Sequence, residues 1–474
     1  MFHIETDKEL PMNDDATRNR NTFDVVVIGG GIAGLAAALS AAESGAETVL
    51  LEKQPLLGGS TAMSGGLFAF ADTDEQREMG ISDSPQRLQQ DLIDAGGARN
   101  DVRLVQAYAS GQADVRQWMK AKGITFDAVK AGAGQSVARS HHTRIRELLD
   151  TFRTAFLDTG RGPILSQHRA VRLERAGSRV AVVVAETPEG RAQFDVRGGV
   201  VIATGGFSRS QELLETFVPA QAGALPYGGL GNTGDGLKMA WRLGAGFRGM
   251  GYVTGTYGSH PETGPEESEL LCSFYMGGII VSVGGQRFVD ESLSYKVIGD
   301  VCLRQAEGLG FQVFDAQVRA KSVPGVALSD IDFLEDKGRL FIADTVEELA
   351  AAAGIDGPEL VKTIERYNEN VRRGQVDEFG RDSLCNHVGE RLQITEPPFY
   401  AYPAKTMMTS TMCGLTTTPK AEVLDIDGEV IEGLYAAGEV AGAFHGKTPM
   451  TGASLGMGVL FGRTAGREAA RRSR

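Results

Sequence analysis

The sequence predicts an α/β fold, and the prediction rests on a strand–turn–helix–strand unit near the N-terminus. An apolar, β-branched run, Val25–Ile28, indicates a buried strand, and an alanine- and leucine-rich segment closed by Gly45 indicates a helix after it. A second apolar run, Thr48–Leu51, ends in Glu52. Between the first strand and the helix lie three glycines with GxGxxG spacing: Gly29, Gly31 and Gly34. This order of elements begins a Rossmann-like domain.

The same unit has the chemistry of a dinucleotide site. The first glycine permits a tight turn, the second lets a pyrophosphate approach the backbone, and the third lets the helix lie close to the strand. The helix N-terminus offers free N–H groups and a positive dipole end to phosphates. Glu52 stands where a carboxylate accepts hydrogen bonds from a ribose diol. The sequence therefore predicts a bound adenine dinucleotide.

Composition limits the class of protein. The 474 residues predict two or more lobes, and the net charge of −13 argues against nucleic acid or an anionic membrane as a partner. The four cysteines form no CxxC motif, so no metal site or attached haem is predicted. Glycines divide the apolar run Val25–Ala42, which argues against a membrane span, and no signal peptide is predicted. We expect a cytoplasmic enzyme whose polar residues 1–22 form a flexible tail.

Three further segments favour FAD over a nicotinamide cofactor. Residues 58–66 are nearly all small, so a flat ring system can lie on their backbone N–H groups. A β-rich segment from Arg169 leads to a strand and glycine turn over residues 199–206. Residues 433–440 form another strand and turn, whose Glu439 would reach the ribityl chain.

Together these segments resemble the fumarate reductase and succinate dehydrogenase flavoprotein superfamily, whose soluble members include 3-ketosteroid dehydrogenases and urocanate reductase. The similarity extends from Phe23 to about Ala470. In that family a capping domain interrupts the FAD domain; residues 228–236 resemble the segment that enters the cap, and residues 377–381 the return segment. The resemblance implies a Rossmann-like FAD-binding domain interrupted by an α+β capping domain, with these bounds: FAD domain 23–240 and 374–474, cap 241–373.

The motifs and the resemblance assign one set of residues to FAD. Covalent attachment is not expected, because the histidine that carries a linked flavin in some family members is absent around Ser60–Ser64. The residues assigned to non-covalent FAD are Gly29, Gly31, Gly34, Glu52, Lys53, Gly59, Ser60, Thr61, Ser64, Gly65, Gly66, Val171, Ala203, Thr204, Gly205, Asp235, Gly438, Glu439, Ser454 and Leu455.

The substrate-side motifs depart from those of fumarate reductases. The family's proton-donating arginine follows a strand of the form RFVNE; here residues 287–291 read RFVDE, and Tyr295 stands in the arginine's place. Tyr295 resembles the tyrosine of 3-ketosteroid dehydrogenases that removes a proton next to a ketone. A second arginine is expected after His445-Gly446, where this chain has Pro449 and Met450. Two missing arginines argue against a fumarate reductase.

Other candidate residues leave alternatives open. Gly452 matches the glycine of the ketosteroid TYPGAG-like stretch, but Thr448 replaces its tyrosine, so His445 or Thr448 would hold a carbonyl oxygen. Arg139 and His141 resemble the family's RSH segment and are candidates for substrate binding or for a solvated loop. His260 resembles the histidine of the family's HPT motif. Tyr295 itself is either the catalytic base or a structural tyrosine.

We therefore predict an FAD-dependent dehydrogenase that desaturates a cyclic ketone or keto acid beside its carbonyl. Tyr295 would take the α-proton, and the flavin N5 would take hydride from the β-carbon. The sequence leaves the electron acceptor open. An ene-reductase of the fumarate or urocanate type is the alternative within enzymes, and a non-catalytic flavin-binding protein is the alternative outside them.

Overall fold

The computed structural model describes residues 21–264, 267–326, 328–385 and 388–474. The first 20 residues of the predicted tail lie outside these ranges, and Asn21 begins the first strand. The strands are β1 Asn21–Ile28, β2 Thr48–Leu51, β3 Leu67–Ala69, β4 Ala128–Lys130, β5 Ser140–His142, β6 Ile164–Leu165, β7 Arg169–Ala176, β8 Arg179–Thr187, β9 Gly190–Ile202, β10 Leu225–Pro226, β11 Phe247–Arg248, β12 Val253–Ser259, β13 Ile279–Val281, β14 Leu309–Phe314, β15 Phe341–Ala343, β16 Phe399–Thr411, β17 Gly414–Leu415, β18 Glu422–Leu424 and β19 Val430–Ala436.

Helices occur throughout both parts of the molecule. They are α1 Ile32–Glu43, α2 Gly59–Ala62, α3 Asp74–Glu78, α4 Pro85–Ala95, α5 Val102–Ala121, α6 Ile145–Asp158, α7 Gln211–Phe217, α8 Asp235–Trp241, α9 Tyr295–Cys302, α10 Ala316–Arg319, α11 Ile331–Asp336, α12 Val346–Ala353, α13 Gly357–Arg372 and α14 Ala453–Arg471. Within the described ranges, none of the helices is both long and apolar enough to cross a bilayer.

The first sheet contains the predicted Rossmann-like unit. Its strand order is β18-β19-β9-β1-β2-β6, and β8 joins β7 to β9. The strands β19, β9, β1, β2 and β6 run parallel to one another, whereas β18 and β8 pair antiparallel to β19 and β9. Residues Val25–Ile28 are buried because apolar clusters cover both faces of the sheet, and a continuous apolar run is typical of such a strand.

Helices α1 and α14 cover the same region of the first sheet and pack unusually close to each other. A Cβ at Gly462 would lie 2.2 Å from the carbonyl oxygen of Ala33, and one at Gly466 would lie 2.1 Å from that of Ala37. Only glycine leaves room for this approach. The contact places the N-terminus of α1 beside the middle of α14, at Gly458 and Gly462.

The second sheet belongs to an α+β part of the chain. Its order is β10-β16-β14-β13, with β12 and β15 also paired to β16. The central strand is Phe399–Thr411, which lies beyond the predicted cap boundary at 373. The predicted boundary therefore divides this sheet, because β12, β14 and β15 all find their pairing partner in the returning segment. The last residues of β16 bring the second sheet to the edge of the first sheet.

Candidate active site

A large cavity opens at the carboxyl ends of the parallel strands β1, β2, β9 and β19. The empty space between its walls, including the open mouth, is about 1370 Å³. Open α/β sheets bind ligands at this edge. Of the residues assigned to FAD from sequence, these line the cavity: Gly29, Gly31, Glu52, Lys53, Gly59, Ser60, Thr61, Ser64, Ala203, Thr204, Gly205, Asp235, Gly438, Glu439, Ser454 and Leu455.

The glycine turn after β1 has the geometry that a phosphate group needs. Gly29 has a φ of +109°, and a Cβ there would lie 2.3 Å from the carbonyl oxygen of Ala203. Gly31 is the N-cap of α1, whose first turn borders the cavity. Gly34 does not line the cavity; its missing Cβ makes room for the carbonyl oxygen of Gly29, which would lie 1.8 Å away. The third glycine thus serves packing, as predicted for the motif.

Glu52 marks the adenosine end. Its Oε2 accepts a hydrogen bond from the Gly30 N–H at 2.7 Å, and its Oε1 accepts one from the Gln54 N–H at 2.8 Å. Beside it, Lys53 Nζ and the Arg169 guanidinium both pair with Asp235, at 2.9 and 3.1 Å. Burial favours the protonated form of Asp235, but Arg169 and Lys53 outweigh it and lower the pKa of this carboxyl. The cations at this end are therefore already neutralised.

The opposite end of the cavity is formed by the N-terminus of α14 and by Glu439. Gly452 is the N-cap of α14 with a φ of +82°, and the first two turns of the helix border the cavity. The Glu439 carboxyl accepts hydrogen bonds from the N–H and the Oγ1 of Thr411 at 2.7 and 3.0 Å. Burial raises the pKa of Glu439. A helix N-terminus and a buried carboxyl suit the polar edge and ribityl hydroxyls of a flavin.

His445 lines the cavity and carries a buried polar atom without a hydrogen-bond partner. Its Nε2 lies 3.2 Å from Ser454 Oγ, while its buried Nδ1 has no hydrogen-bond partner among the described residues. Burial, together with the nearby charge of Lys296, lowers the pKa of His445 to about 3. The imidazole is therefore neutral at physiological pH. Thr204 Oγ1, also in the cavity wall, is likewise buried without a partner in the described ranges.

The cavity has the features that a bound FAD requires. The glycine turn, the helix N-terminus and the acid at the end of β2 lie at one end of a single elongated cavity, as a pyrophosphate and ribose require. Two polar atoms of wall residues, Nδ1 of His445 and Oγ1 of Thr204, have no hydrogen-bond partner in the described ranges. The residues present therefore fit the cofactor.

Tyr295 lies outside the cavity wall, at the first position of α9. Its ring packs against the apolar core of the second sheet, and its backbone N–H donates to the Tyr275 hydroxyl at 2.8 Å. Burial, with a smaller effect of Cys272, raises the pKa of the Tyr295 phenol. A cationic neighbour would favour the tyrosinate, and none appears among these influences. In the free protein the phenol therefore keeps its proton at neutral pH.

Besides Gly34, three residues assigned to FAD from sequence lie outside the wall. A Cβ at Gly66 would lie 2.1 Å from the carbonyl oxygen of Thr143, so this glycine serves packing, and Gly65 also lies away from the cavity. Ala170 lines the cavity and Val171 does not, because successive residues of a strand point to opposite faces of the sheet.

The substrate residues assigned from sequence do not meet at the cavity. Arg139 is fully buried, and its Nη2 pairs with Asp83 and Asp91 at 3.1 and 2.9 Å. His141 lies 2.8 Å from both Thr73 Oγ1 and the Arg139 carbonyl oxygen. These contacts fit neither a substrate ligand nor a solvated loop, and they support a structural role for both residues.

The remaining three substrate-side residues also lie outside the wall. The Nδ1 of buried His260 accepts a hydrogen bond from the Glu262 N–H at 3.2 Å within a turn. Thr448 is exposed at the surface. Gly452 accepts a hydrogen bond from the Ala69 N–H at 2.9 Å as it begins α14. Of the predicted substrate-side set, His445 is the member in the cavity wall.

Sequence reasoning missed several wall residues. Asn232 lies in the GNTGDG segment that the resemblance had already pointed to, so that motif contained the signal. Residues 410–412 end β16 and carry no motif, and their place depends on a sheet formed by distant strands. His168 enters the wall just before β7.

The fold and the cavity together define a flavoprotein of the FAD-dependent oxidoreductase class. Residues 24–455 match the family model described as "FAD binding domain", and the chain belongs to that family. A probable fumarate reductase of Shewanella frigidimarina is 32% identical over 461 residues, which are 95% of this chain and 75% of that protein. The 4-oxocyclohexanecarboxylate 2-dehydrogenase of Sinomonas cyclohexanicum is 28% identical over 95% of this chain and 94% of that protein.

Solved structures agree with this assignment. The open conformation of a flavocytochrome c3 fumarate reductase superposes with a TM-score of 0.85, at 30% identity, over 97% of this chain and 79% of that one. The fold is also that of a 3-ketosteroid delta1-dehydrogenase from Sterolibacterium denitrificans, with a TM-score of 0.81, 22% identity and coverage of 95% and 100%. The predicted superfamily, the interrupted FAD-binding fold and the cofactor FAD are confirmed. The protein is an FAD-dependent oxidoreductase acting on C–C bonds.

Proposed function

We propose that the protein desaturates a cyclic ketone or keto acid beside its carbonyl group, with FAD as the hydride acceptor. The observation that carries this proposal is the neutral character of the flavin end of the cavity. Apart from the buried Glu439, whose pKa burial raises, the wall there carries no acidic or basic side chain other than the neutral imidazole of His445. The other wall residues at this end are Ser410, Thr411, Met412, Ala441, Ser454, Leu455, Met457 and Gly458. A carbonyl group suits such a wall better than a pair of carboxylates does.

His445 is the proposed donor to the carbonyl oxygen. A neutral imidazole has one N–H and one acceptor nitrogen. When Nε2 accepts from Ser454 Oγ, the unpartnered Nδ1 carries the N–H and can donate to an oxygen that gains negative charge. A donor fixed in a buried wall stabilises such an enolate strongly. This gives the orphaned nitrogen a function.

Tyr295 is the proposed proton-transfer residue. FAD, when bound, accepts the hydride that leaves the β-carbon. The α-proton passes to the phenolate oxygen of Tyr295, and the two electrons of the α C–H bond become part of the new C=C bond. Because burial raises the pKa of this phenol, the fraction ready to act as a base is small at neutral pH and grows with pH. The similarity to a 4-oxocyclohexanecarboxylate 2-dehydrogenase, which covers 94% of that protein, supports desaturation as the direction of the reaction.

The reverse reaction, reduction of an activated C=C bond, is the second candidate. Tyr295 holds its proton in the free protein and is therefore ready to donate it to an α-carbon. The 32% identity to a probable fumarate reductase also favours this direction. In both candidate reactions His445 donates to the carbonyl oxygen and Tyr295 transfers the proton at the α-carbon. The two reactions differ in the oxidation state of the substrate.

Anaerobic half-reactions distinguish the two directions. Oxidised holoenzyme is mixed with saturated cyclic ketones, and dithionite-reduced holoenzyme with the matching enones, while flavin absorbance near 450 nm is followed. Desaturation predicts bleaching by at least one ketone at a rate above that of enone-driven reoxidation. The opposite order supports the reductase, and the absence of both reactions across the panel contradicts the proposal.

We also propose that FAD is held without a covalent bond. The small-residue segment at the flavin contains no histidine between Gly58 and Gly66. Acid precipitation should leave the yellow flavin in the supernatant. Flavin that stays with the protein pellet, after washing in denaturant, would contradict this.

A further inference from the structure

Two tyrosines meet at the start of α9, and their hydroxyl groups differ in what they bind. The Tyr275 hydroxyl donates a hydrogen bond to the carbonyl oxygen of Leu293 at 2.7 Å and accepts one from the Tyr295 backbone N–H at 2.8 Å. Its single proton is therefore committed to the backbone. The Tyr295 hydroxyl has no hydrogen-bond partner among the described residues. Of these two phenols, that of Tyr295 is the one left for a substrate.

The Tyr275 hydroxyl closes the N-terminus of α9. The first N–H groups of a helix have no acceptor within the helix itself. The N-cap residue Ser294 accepts from the Lys296 N–H only at the long distance of 3.4 Å. Tyr275 supplies the acceptor for the Tyr295 N–H and also holds the Leu293 carbonyl oxygen two residues earlier. One side chain thus fixes the backbone on both sides of the cap residue.

Buried ion pairs fix the segment that leads to Tyr295. The Glu291 carboxylate is fully buried and pairs with Arg287 at 2.5 Å and with Arg381 at 3.2 Å. Arg287 also pairs with Asp377 at 2.7 Å. The RFVDE segment and the return segment of the cap therefore meet in this cluster. The cluster anchors the chain four residues before Tyr295.

The body of α9 is held from the other side. The helix packs on β12 and β16, and a Cβ at Gly299 would lie 3.1 Å from Thr406 Cγ2, so the helix has little room to shift. The Tyr275 hydroxyl acts between the buried ion pairs and this helix body, at the first turn of α9. Its loss would free that turn without unpacking either anchored part. A reacting group misplaced by about 1 Å can lose about 10²-fold in rate.

We propose that Tyr275 is a positioning residue for proton transfer, which acts through Tyr295 by fixing the first turn of α9. This inference rests on the proposed function, because Tyr275 acts only through the proposed proton-transfer residue. The carbonyl oxygen of Leu293 holds the Tyr275 proton, so Tyr275 itself exchanges no proton with the substrate. The role is the same for desaturation and for the reverse reaction.

The test is a double-mutant cycle on holoenzyme. Tyr275→Phe removes the hydroxyl and keeps the ring, whose centroid lies 4.5 Å from that of Phe274. In the half-reaction that the ketone and enone panel identifies, its limiting rate should fall by about 10- to 100-fold. FAD content, substrate affinity and the shape of the pH profile should match the wild type, because Tyr295 still titrates. Added to Tyr295→Phe, the same substitution should slow the reaction no further.

Tyr402→Phe is the matched control. Its hydroxyl belongs to the same apolar cluster and donates to the Glu269 carbonyl oxygen at 2.6 Å, which lies outside α9. The variant should unfold at a lower temperature and keep the wild-type limiting rate. An equal loss of rate in Tyr402→Phe would mean that general loosening of the second sheet slows the reaction, and would overturn the inference.

Three further results would also overturn it: a Tyr275→Phe limiting rate within about twofold of the wild type, a further loss in the Tyr295→Phe background, or a changed pH profile. A slow Tyr295→Phe beside a fast Tyr275→Phe would refute the positioning role alone. A Tyr295→Phe enzyme that reacts at the wild-type rate would refute the proposed role of Tyr295 and the positioning role with it.

Discussion

The Glu52 carboxylate accepts a hydrogen bond from the Gly30 backbone N–H, with an N···O distance of 2.7 Å. This contact joins the end of β2 to the glycine turn after β1. The second carboxylate oxygen accepts from the Gln54 N–H at 2.8 Å. Each carboxylate oxygen can accept more than one hydrogen bond, so Glu52 holds the turn and still has lone pairs for a ribose diol.

Replacing Glu52 by alanine should weaken FAD binding by roughly 1.5–3 kcal/mol, the range for hydrogen bonds to a charged group. Fluorescence titration of apoprotein with FAD measures the change. Glu47→Ala is the control, because Glu47 forms an exposed pair with Arg161. An unchanged dissociation constant for Glu52→Ala would mean that the ribose is held by other residues.

The α1–α14 contact gives a prediction about stability. Gly462→Ala and Gly466→Ala each gain helix propensity worth about 1 kcal/mol but force a Cβ against a carbonyl oxygen of α1. Overpacking typically costs about 1–3 kcal/mol, so we expect net destabilisation. Gly223→Ala, where a Cβ meets nothing within 4 Å, is the control. Thermal unfolding at one saturating FAD concentration should show a lower midpoint for the two helix variants alone.

The nucleotide half of the site was predictable because its requirements are local. Gly29 and Glu52 belong to one strand–turn–helix–strand unit, in which spacing along the chain fixes spacing in the fold. The same holds for Glu439, which follows a strand directly. Gly66 and Val171 were misplaced because a contact with Thr143 in one case and strand alternation in the other decide the orientation.

The substrate half depends on contacts between distant segments. Arg139 resembled a substrate ligand, but Asp83 and Asp91, about 50 residues earlier in the chain, enclose it. The wall residues of β16 reach the cavity through a sheet whose six strands are spread over residues 225–411. The RFVDE motif pointed to Tyr295, but the fold places Tyr295 outside the cavity wall and His445 within it.

Protein stability should depend on pH through His445. Burial lowers the pKa of the imidazole in the folded protein to about 3 from about 6.5. The free energy of unfolding is therefore unaffected by this group above pH 6.5 and decreases as the pH falls from 6.5 toward 3. Between pH 6 and pH 5, the free energy of unfolding of the wild type should fall by about 1 kcal/mol more than that of His445→Asn. Urea unfolding with saturating FAD measures both. Parallel curves for the two proteins would contradict the buried neutral imidazole.

Fumarate should be a poor substrate. Its two carboxylates need cationic partners, and the described wall residues at the flavin end include no lysine or arginine, so both carboxylates would be buried without a partner. Turnover with reduced viologen should be at least 100-fold below that of the best enone. Comparable turnover of fumarate would show that a cation reaches the cavity on binding.

Anaerobic stopped-flow reduction of the bound flavin, with wild type and Tyr295→Phe side by side, tests the proton-transfer role of Tyr295 most directly. With 4-oxocyclohexanecarboxylate or the best ketone of the panel, the limiting rate of the wild type should rise with pH, because the raised pKa keeps most of the phenol protonated near pH 7. Tyr295→Phe keeps the ring that packs in the core, so its FAD content and ketone affinity should match the wild type. Its rate should fall by about 10²–10⁴ and lose the pH dependence. A Tyr295→Phe rate above about a third of the wild-type value would contradict the account.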